Sequence, residues 1–153
     1  IGEWKAEDIT IEATVERESP QVTAETLSKM TDVLGTATTD YSASSSGRAQ
    51  NVENGTSKIN GTLLMPGESF SVTDAVVPFN AENGYELAPS YEAGQVVDSY
   101  GGGICQVSTT LYNAVLKAEL EVDARSNHTM LVGYVDPSKD AAIAEASWIC
   151  IYE

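Results

Sequence analysis

Residues 101–120 read Gly-Gly-Gly-Ile-Cys-Gln-Val-Ser-Thr-Thr-Leu-Tyr-Asn-Ala-Val-Leu-Lys-Ala-Glu-Leu. Gly101, Gly102 and Gly103 cannot share a helix interior, but they supply positive φ or a close backbone approach. Beyond them Ile104, Val107, Leu111, Ala114, Val115 and Ala118 recur at i, i+3, i+4 and i+7 spacing, which predicts an amphipathic helix. Cys105 then falls in its first turn, where unpaired N–H groups and the positive dipole end favour a thiolate. A glycine turn, a cysteine and an amphipathic helix form one recurrent way to present a nucleophile. The alternative is packing: a free cysteine is among the most buried residue types, and glycines let a helix lie close to a sheet.

His128, the chain's only histidine, opens the run His-Thr-Met-Leu-Val-Gly-Tyr-Val. This β-branched and aromatic segment predicts a strand over 128–135. A cysteine at a helix start facing a histidine on a neighbouring strand is the geometry of a Cys–His hydrolase.

Outward from this centre, residues 8–17 alternate apolar and charged side chains as a half-buried strand does. Thr23 stands as an N-cap, Leu27, Met30 and Leu34 as a stripe and Gly35 as a C-cap, which predicts one short helix. Residues 36–47 read as a loop or flexible linker. Arg48, Ala49, Val52 and Ile59 predict a second helix, weakened by Gly55 and closed near Asn60-Gly61. Arg48 and Asn51 are its polar residues of interest. Met65-Pro66-Gly67-Glu68 reads as a turn between strands at 62–64 and 69–72. A hairpin follows over 87–97, then strands near 121–125, 128–135 and 143–152. The fold class expected is α+β: a mostly antiparallel sheet, a central helix after the glycine turn and two short N-terminal helices. Residues 1–20 read as the last strand of a preceding module or an edge strand, and 21–153 as the domain itself.

With 153 residues the chain suits one domain with a real core. It opens on Ile1 rather than Met, which reads as a piece of something longer. Net charge is −15, from 23 acidic against 8 basic residues. That balance argues against nucleic acid and against electrostatic attraction to anionic membranes or wall polymers. No apolar run approaches a membrane span. No paired Cys-x-x-Cys or His-x-x-x-His spacing indicates a metal, and no cofactor is expected.

The run from Tyr100 to Ala114 closely resembles the signature of the VanW-like family. So do Leu64-Met-Pro-Gly-Glu-Ser-Phe-Ser, Asn83-Gly-Tyr and Gly47-Arg-Ala-Gln-Asn. The resemblance covers roughly residues 22–145. It implies a cell-envelope protein of Gram-positive bacteria, some members of which stand beside glycopeptide-resistance genes. It supplies a setting, not a reaction. The matching positions include Arg48, Asn51, Glu68, Gly101 to Gly103, Cys105, Gln106, Ser108, Tyr112 and His128. Where the family carries Arg-His-Pro-His-Ser, this chain reads Arg125-Ser-Asn-His-Thr, so only the second histidine remains. Ser138-Lys-Asp-Ala-Ala stands in the place of a Gly-x-Asp-Ala-Thr pattern and leaves Asp140 as a third member. Cys105 and Cys150 are expected to stay unpaired, one opening a helix and the other ending a strand. The family's setting also tends to avoid disulfides.

Three functions follow as expectations. The first is a cysteine hydrolase or acyl-transferase on peptide bonds of the wall, with Cys105 attacking, His128 as base and Asp140 orienting it. The second is a module that binds peptidoglycan without chemistry, its ligand held by Gly101, Gly102, Gly103, Gln106, Ser108, Arg48 and Glu68. Tyr85, Tyr91, Tyr100 and Tyr112 would give it a stacking surface. The third is a structural spacer.

Overall fold

The computed structural model describes residues 22–92, 94–144 and 150–152. The chain divides into two compact units, residues 1–32 and 33–153. In the first, Thr23 caps α1 (Ala24–Ser28) by accepting the Thr26 N–H at 3.2 Å. None of its side chains is buried, and without packing along the Leu27–Leu34 stripe the helix ends at Lys29 instead of Gly35. The strand expected over 8–17 lies outside the described residues.

The second unit is built on α4 (Ile104–Lys117), the helix predicted after the glycines. Helix α2 (Ser46–Ile59), capped by Ser45, packs across it at Gly55. A Cβ at Gly55 would collide with the Ile104 side chain. The residue costs about 1 kcal/mol of helix propensity against Ala, but here it admits a core contact. Gly35 works similarly: a Cβ there would strike the Ala114 carbonyl and the Ala118 N–H at the end of α4. Helix α3 (Val72–Val76) adds Val72 and Val76 to a core shared with Val52, Tyr85, Ile104, Val107, Val115 and Ile143. Burial of each such side chain contributes about 1.5–3 kcal/mol. The Tyr85 hydroxyl donates to the Val76 carbonyl at 2.7 Å, and burial pushes its pKa up to about 12.

All strand pairing is antiparallel among the described residues. β1 (Ser69–Ser71), β4 (Glu121–Ala124) and β5 (Cys150–Tyr152) form one sheet in the order β1-β5-β4, with Phe70 and Val122 both opposite Ile151. β2 (Leu87–Glu92) and β3 (Gln95–Tyr100) form a separate hairpin in which Leu87 pairs with Tyr100. The fold is α+β, as expected from the sequence.

Several segments depart from the expectation: Val72 opens α3 instead of ending a strand, and 143–144 lie outside the strand that is formed at Cys150–Tyr152. Residues 62–64 are not a strand, because the Thr62 N–H and hydroxyl both bond back to the Ile59 carbonyl and close α2 instead. Residues 128–135 are not a strand either: the His128 N–H is taken by the Asp140 carboxylate at 2.7 Å rather than by a ladder. The supposed linker at 36–47 is anchored. Thr39 bonds Thr110 at 2.7 Å, the Thr36 carbonyl accepts from Lys117, and Tyr41 packs on the core.

The hairpin sits close to the glycine turn because Gly102 has no side chain. A Cβ there would collide with the carbonyl of Ala88 and meet that of Pro89 at 2.8 Å, both rigid backbone. Gly102→Ala should therefore cost more than about 2 kcal/mol, while Gly133→Ala, with open space around it, stays within about 0.5 kcal/mol. Urea denaturation of the two variants checks the contrast.

Candidate functional site

The N-terminal turn of α4 begins at Gly103, whose φ of 104° and lack of a Cβ let the Arg48 stem lie against it. Ile104 N–H bonds the Gly101 carbonyl and Gln106 N–H the Gly103 carbonyl. The N–H groups of Gly103 and Cys105 have no acceptor among the described residues. They are two of the orphan donors that open every helix. From the next element, Asn51 donates to the carbonyls of Glu86 at 2.9 Å and Gly102 at 3.0 Å, and accepts the Glu86 N–H. One buried amide thus ties α2, the start of the hairpin and the glycine turn together.

The opposite wall is a strap over residues 139–143, held along α4 by side-chain hydrogen bonds. Asn113 donates to the Lys139 carbonyl at 2.7 Å and Ser108 to the Ala141 carbonyl at 2.6 Å. Thr109 accepts the Ala141 N–H at 2.9 Å, and the Cys105 thiol donates to the Ile143 carbonyl at 3.4 Å. Asp140 hangs from this strap and is buried. Its Oδ2 is 2.7 Å from both the backbone N and the ring Nδ1 of His128, and its Oδ1 accepts from Arg125 at 3.1 Å. Arg125 also donates to the Asp140 carbonyl at 2.8 Å and lies over the Tyr112 ring. Both carboxylate oxygens are therefore engaged.

His128 joins the two walls. Its pKa is raised above the ordinary 6.5, chiefly by the hydrogen bond with the Cys105 side chain. Burial opposes this, and the bond to Asp140 reinforces it. Because Asp140 occupies Nδ1, Nε2 is the nitrogen left for the sulfur. Burial pushes the Asp140 carboxyl up, but its bonds from the His128 backbone and ring outweigh it, and the pKa lies below the usual 3.8. Cys105 is a free thiol. Histidine and aspartate are thus joined by a 2.7 Å hydrogen bond, and the Cys105 side chain acts on the same ring.

Cys105 and His128 line a cavity of about 750 Å³, within the range of ligand sites. Arg48, Gly101, Gly103, Gln106, Tyr91, Tyr100, Phe79 and Tyr134 also line it. Of the other residues singled out from the sequence, Gly102 packs on the hairpin backbone and Ser108 spends its hydroxyl on the strap and the Cys105 carbonyl. Glu68 stands apart, exposed and bonded to the Met65 N–H at 3.0 Å within its own turn. Tyr85 is in the core and Tyr112 under Arg125, so only Tyr91 and Tyr100 of the four tyrosines face the cavity.

Sequence reasoning missed Tyr134. Burial raises its phenol pKa, a hydrogen bond with Thr109 lowers it, and Cys105 lies close enough to perturb it. A second cavity, of about 380 Å³, adjoins the other side of His128 and is lined by Arg125, Asp136 and Asp140. Among the described residues no cluster of His, Cys, Asp or Glu is arranged to hold a metal, and no helix is long and apolar enough to cross a membrane.

The profile of a family described as VanW like protein matches residues 47–149, which include Cys105, His128 and Asp140. This chain belongs to the VanW-like family. It is 36% identical over 126 residues to the uncharacterised protein YoaR of Bacillus subtilis, covering 82% of this chain and 42% of that one. It is 30% identical over 82 residues to the vancomycin B-type resistance protein VanW of Enterococcus faecalis, covering 54% of this chain and 30% of that one. The chain thus spans less than half the length of either relative. No solved structure matches it.

The raised pKa of His128 has a consequence for stability. A group whose folded pKa exceeds its unfolded value stabilises fully below about pH 6.5, and the effect fades as pH rises through the folded value. His128→Gln should therefore lower the melting temperature more at pH 6 than at pH 9. Thermal melts of both proteins across that range measure it; a loss independent of pH would mean the imidazole is not held charged.

Proposed function

We propose that this domain is a cysteine acyl-transferase or hydrolase that acts on peptide bonds of peptidoglycan, in the envelope of a Gram-positive bacterium. The observation that carries this reading is that Cys105 and His128 share the wall of the large cavity, with Asp140 bonded to the His128 ring at 2.7 Å and Cys105 raising the pKa of that ring. His128 Nε2 takes the thiol proton, and the sulfur attacks the carbonyl carbon of the peptide. The oxyanion that forms is received by the N–H groups of Gly103 and Cys105, which have no acceptor among the described residues. The carbon–nitrogen bond then breaks, His128 returns the proton to the leaving amine, and a thioester remains on Cys105. An amine or water deprotonated by His128 attacks the thioester, and the thiol is restored. Asp140 holds the ring in the required tautomer.

Wall peptides are favoured as substrate by the envelope setting of the family and by a relative named for vancomycin resistance. Residues 21–153 belong to the domain on this reading, with 1–20 in a preceding module. Iodoacetamide at neutral pH should alkylate Cys105 faster than a simple thiol, and His128→Ala should slow it about tenfold. Incubation with purified stem peptides, followed by acid quench and mass spectrometry, should reveal an acyl adduct on Cys105 that Cys105→Ser lacks. An unreactive Cys105 indifferent to His128→Ala would leave a binding module instead.

A further inference from the structure

We infer that the large cavity takes an acyl substrate bearing a free carboxylate beside the scissile bond, and that Arg48 binds it. The inference rests on Cys105 being the nucleophile. Arg48 projects from α2 into the same cavity as Cys105 and His128. A Cβ at Gly103 would meet the Arg48 Cγ at 2.8 Å and its Cζ at 3.5 Å, so the cation lies against the turn two residues before the nucleophile.

Its guanidinium is fixed by neutral groups. NH1 donates to the Ser44 hydroxyl and NH2 to the Gln106 carbonyl oxygen, both at 2.7 Å. Gln106 is buried and is itself held by the Thr39 hydroxyl and the Asp40 carbonyl, each at 3.0 Å. Two of the five guanidinium donors are thereby used to position the group, and the rest stay available. Among the described residues Arg48 enters no ion pair, although the chain has 23 acidic against 8 basic residues. Of the carboxylates nearest in sequence, Glu53 accepts from the Tyr41 hydroxyl and Asp40 from the Ser42 N–H and hydroxyl.

The cavity wall completes the case. Among the described residues no Asp or Glu lines it, and its basic members are Arg48 and His128. In a chain of net charge −15, a cavity whose described lining holds a preset arginine and no carboxylate favours an anion. The planar fork matches a carboxylate.

The test alkylates the intact chain with N-bromoacetylglycine, whose carboxylate lies one residue from the reacting carbon, and with its neutral amide. Rates are read by mass spectrometry on the tryptic peptide bearing Cys105, distinct from that bearing Cys150. The acid-to-amide rate ratio should exceed that of 2-mercaptoethanol about tenfold at low salt and decline as salt is added. Arg48→Gln should bring the ratio down to the simple thiol's value or below, and Arg48→Lys should keep part of it. A wild-type ratio no higher than the simple thiol's, or one that Arg48→Gln leaves unmoved, overturns the carboxylate site. If Arg48→Gln fails to fold by thermal melt, the wild-type salt series and Arg48→Lys decide. A slow amide reaction that ignores His128→Ala overturns the nucleophile instead, so the two failures are distinct.

Discussion

The site depends on the row of side-chain to backbone hydrogen bonds by which α4 holds the strap at 139–143. Asn113, Thr109, Ser108 and Cys105 lie along one side of the helix and meet, in that order, Lys139, Ala141 and Ile143. A segment outside any strand is thereby fixed as firmly as one inside a ladder, since its buried polar groups find partners. Asp140 is fixed with it. Arg125 grips the same segment from the other side, and His128 is positioned through both its backbone and its ring. Cys105 and His128 are thus referred to a single helix, although they stand 23 residues apart in the chain.

Much of this frame was legible in the sequence. The 3.6-residue period and the preceding glycines gave α4 and put Cys105 in its first turn. The same logic gave α2, and alternation with turn residues gave the hairpin. What escaped was whatever depends on side chains bonding across the fold. Residues 128–135 have strand composition, but the His128 N–H goes to a carboxylate that is a neighbour only after folding. Ser108 entered the candidate ligand set as part of the family signature, yet here the hydroxyl serves the strap. The Ser- and Thr-rich stretch at 36–47 looked like linker because its composition lacks apolar anchors. Its order comes from hydroxyl and carbonyl bonds to Thr110, Gln106 and Lys117, which no period betrays. Tyr134 carried no signal apart from a strand that did not form.

The glycine motif gains three separate roles from the same folding. Gly102 admits the hairpin backbone, Gly103 admits the Arg48 stem, and the turn as a whole leaves two helix-start N–H groups without an acceptor among the described residues. These roles converge on one cavity, where a sulfur, an imidazole and a guanidinium face a space with no acidic side chain among its described lining residues. The acidic surface of the chain and the polarity of its cavity are therefore opposite in sign. That contrast is what a domain requires if it is to bind an anionic peptide without being drawn to anionic polymers at large.

The account turns on the coupling between Cys105 and His128. Because His128 is the only histidine, its imidazole can be titrated by NMR without ambiguity of assignment. The hydrogen bond to the Cys105 side chain is the largest influence raising its pKa, so the wild-type ring should titrate above 6.5. In Cys105→Ser the midpoint should move down. A ring that titrates at the same pH in both proteins would contradict the pairing on which the site is built.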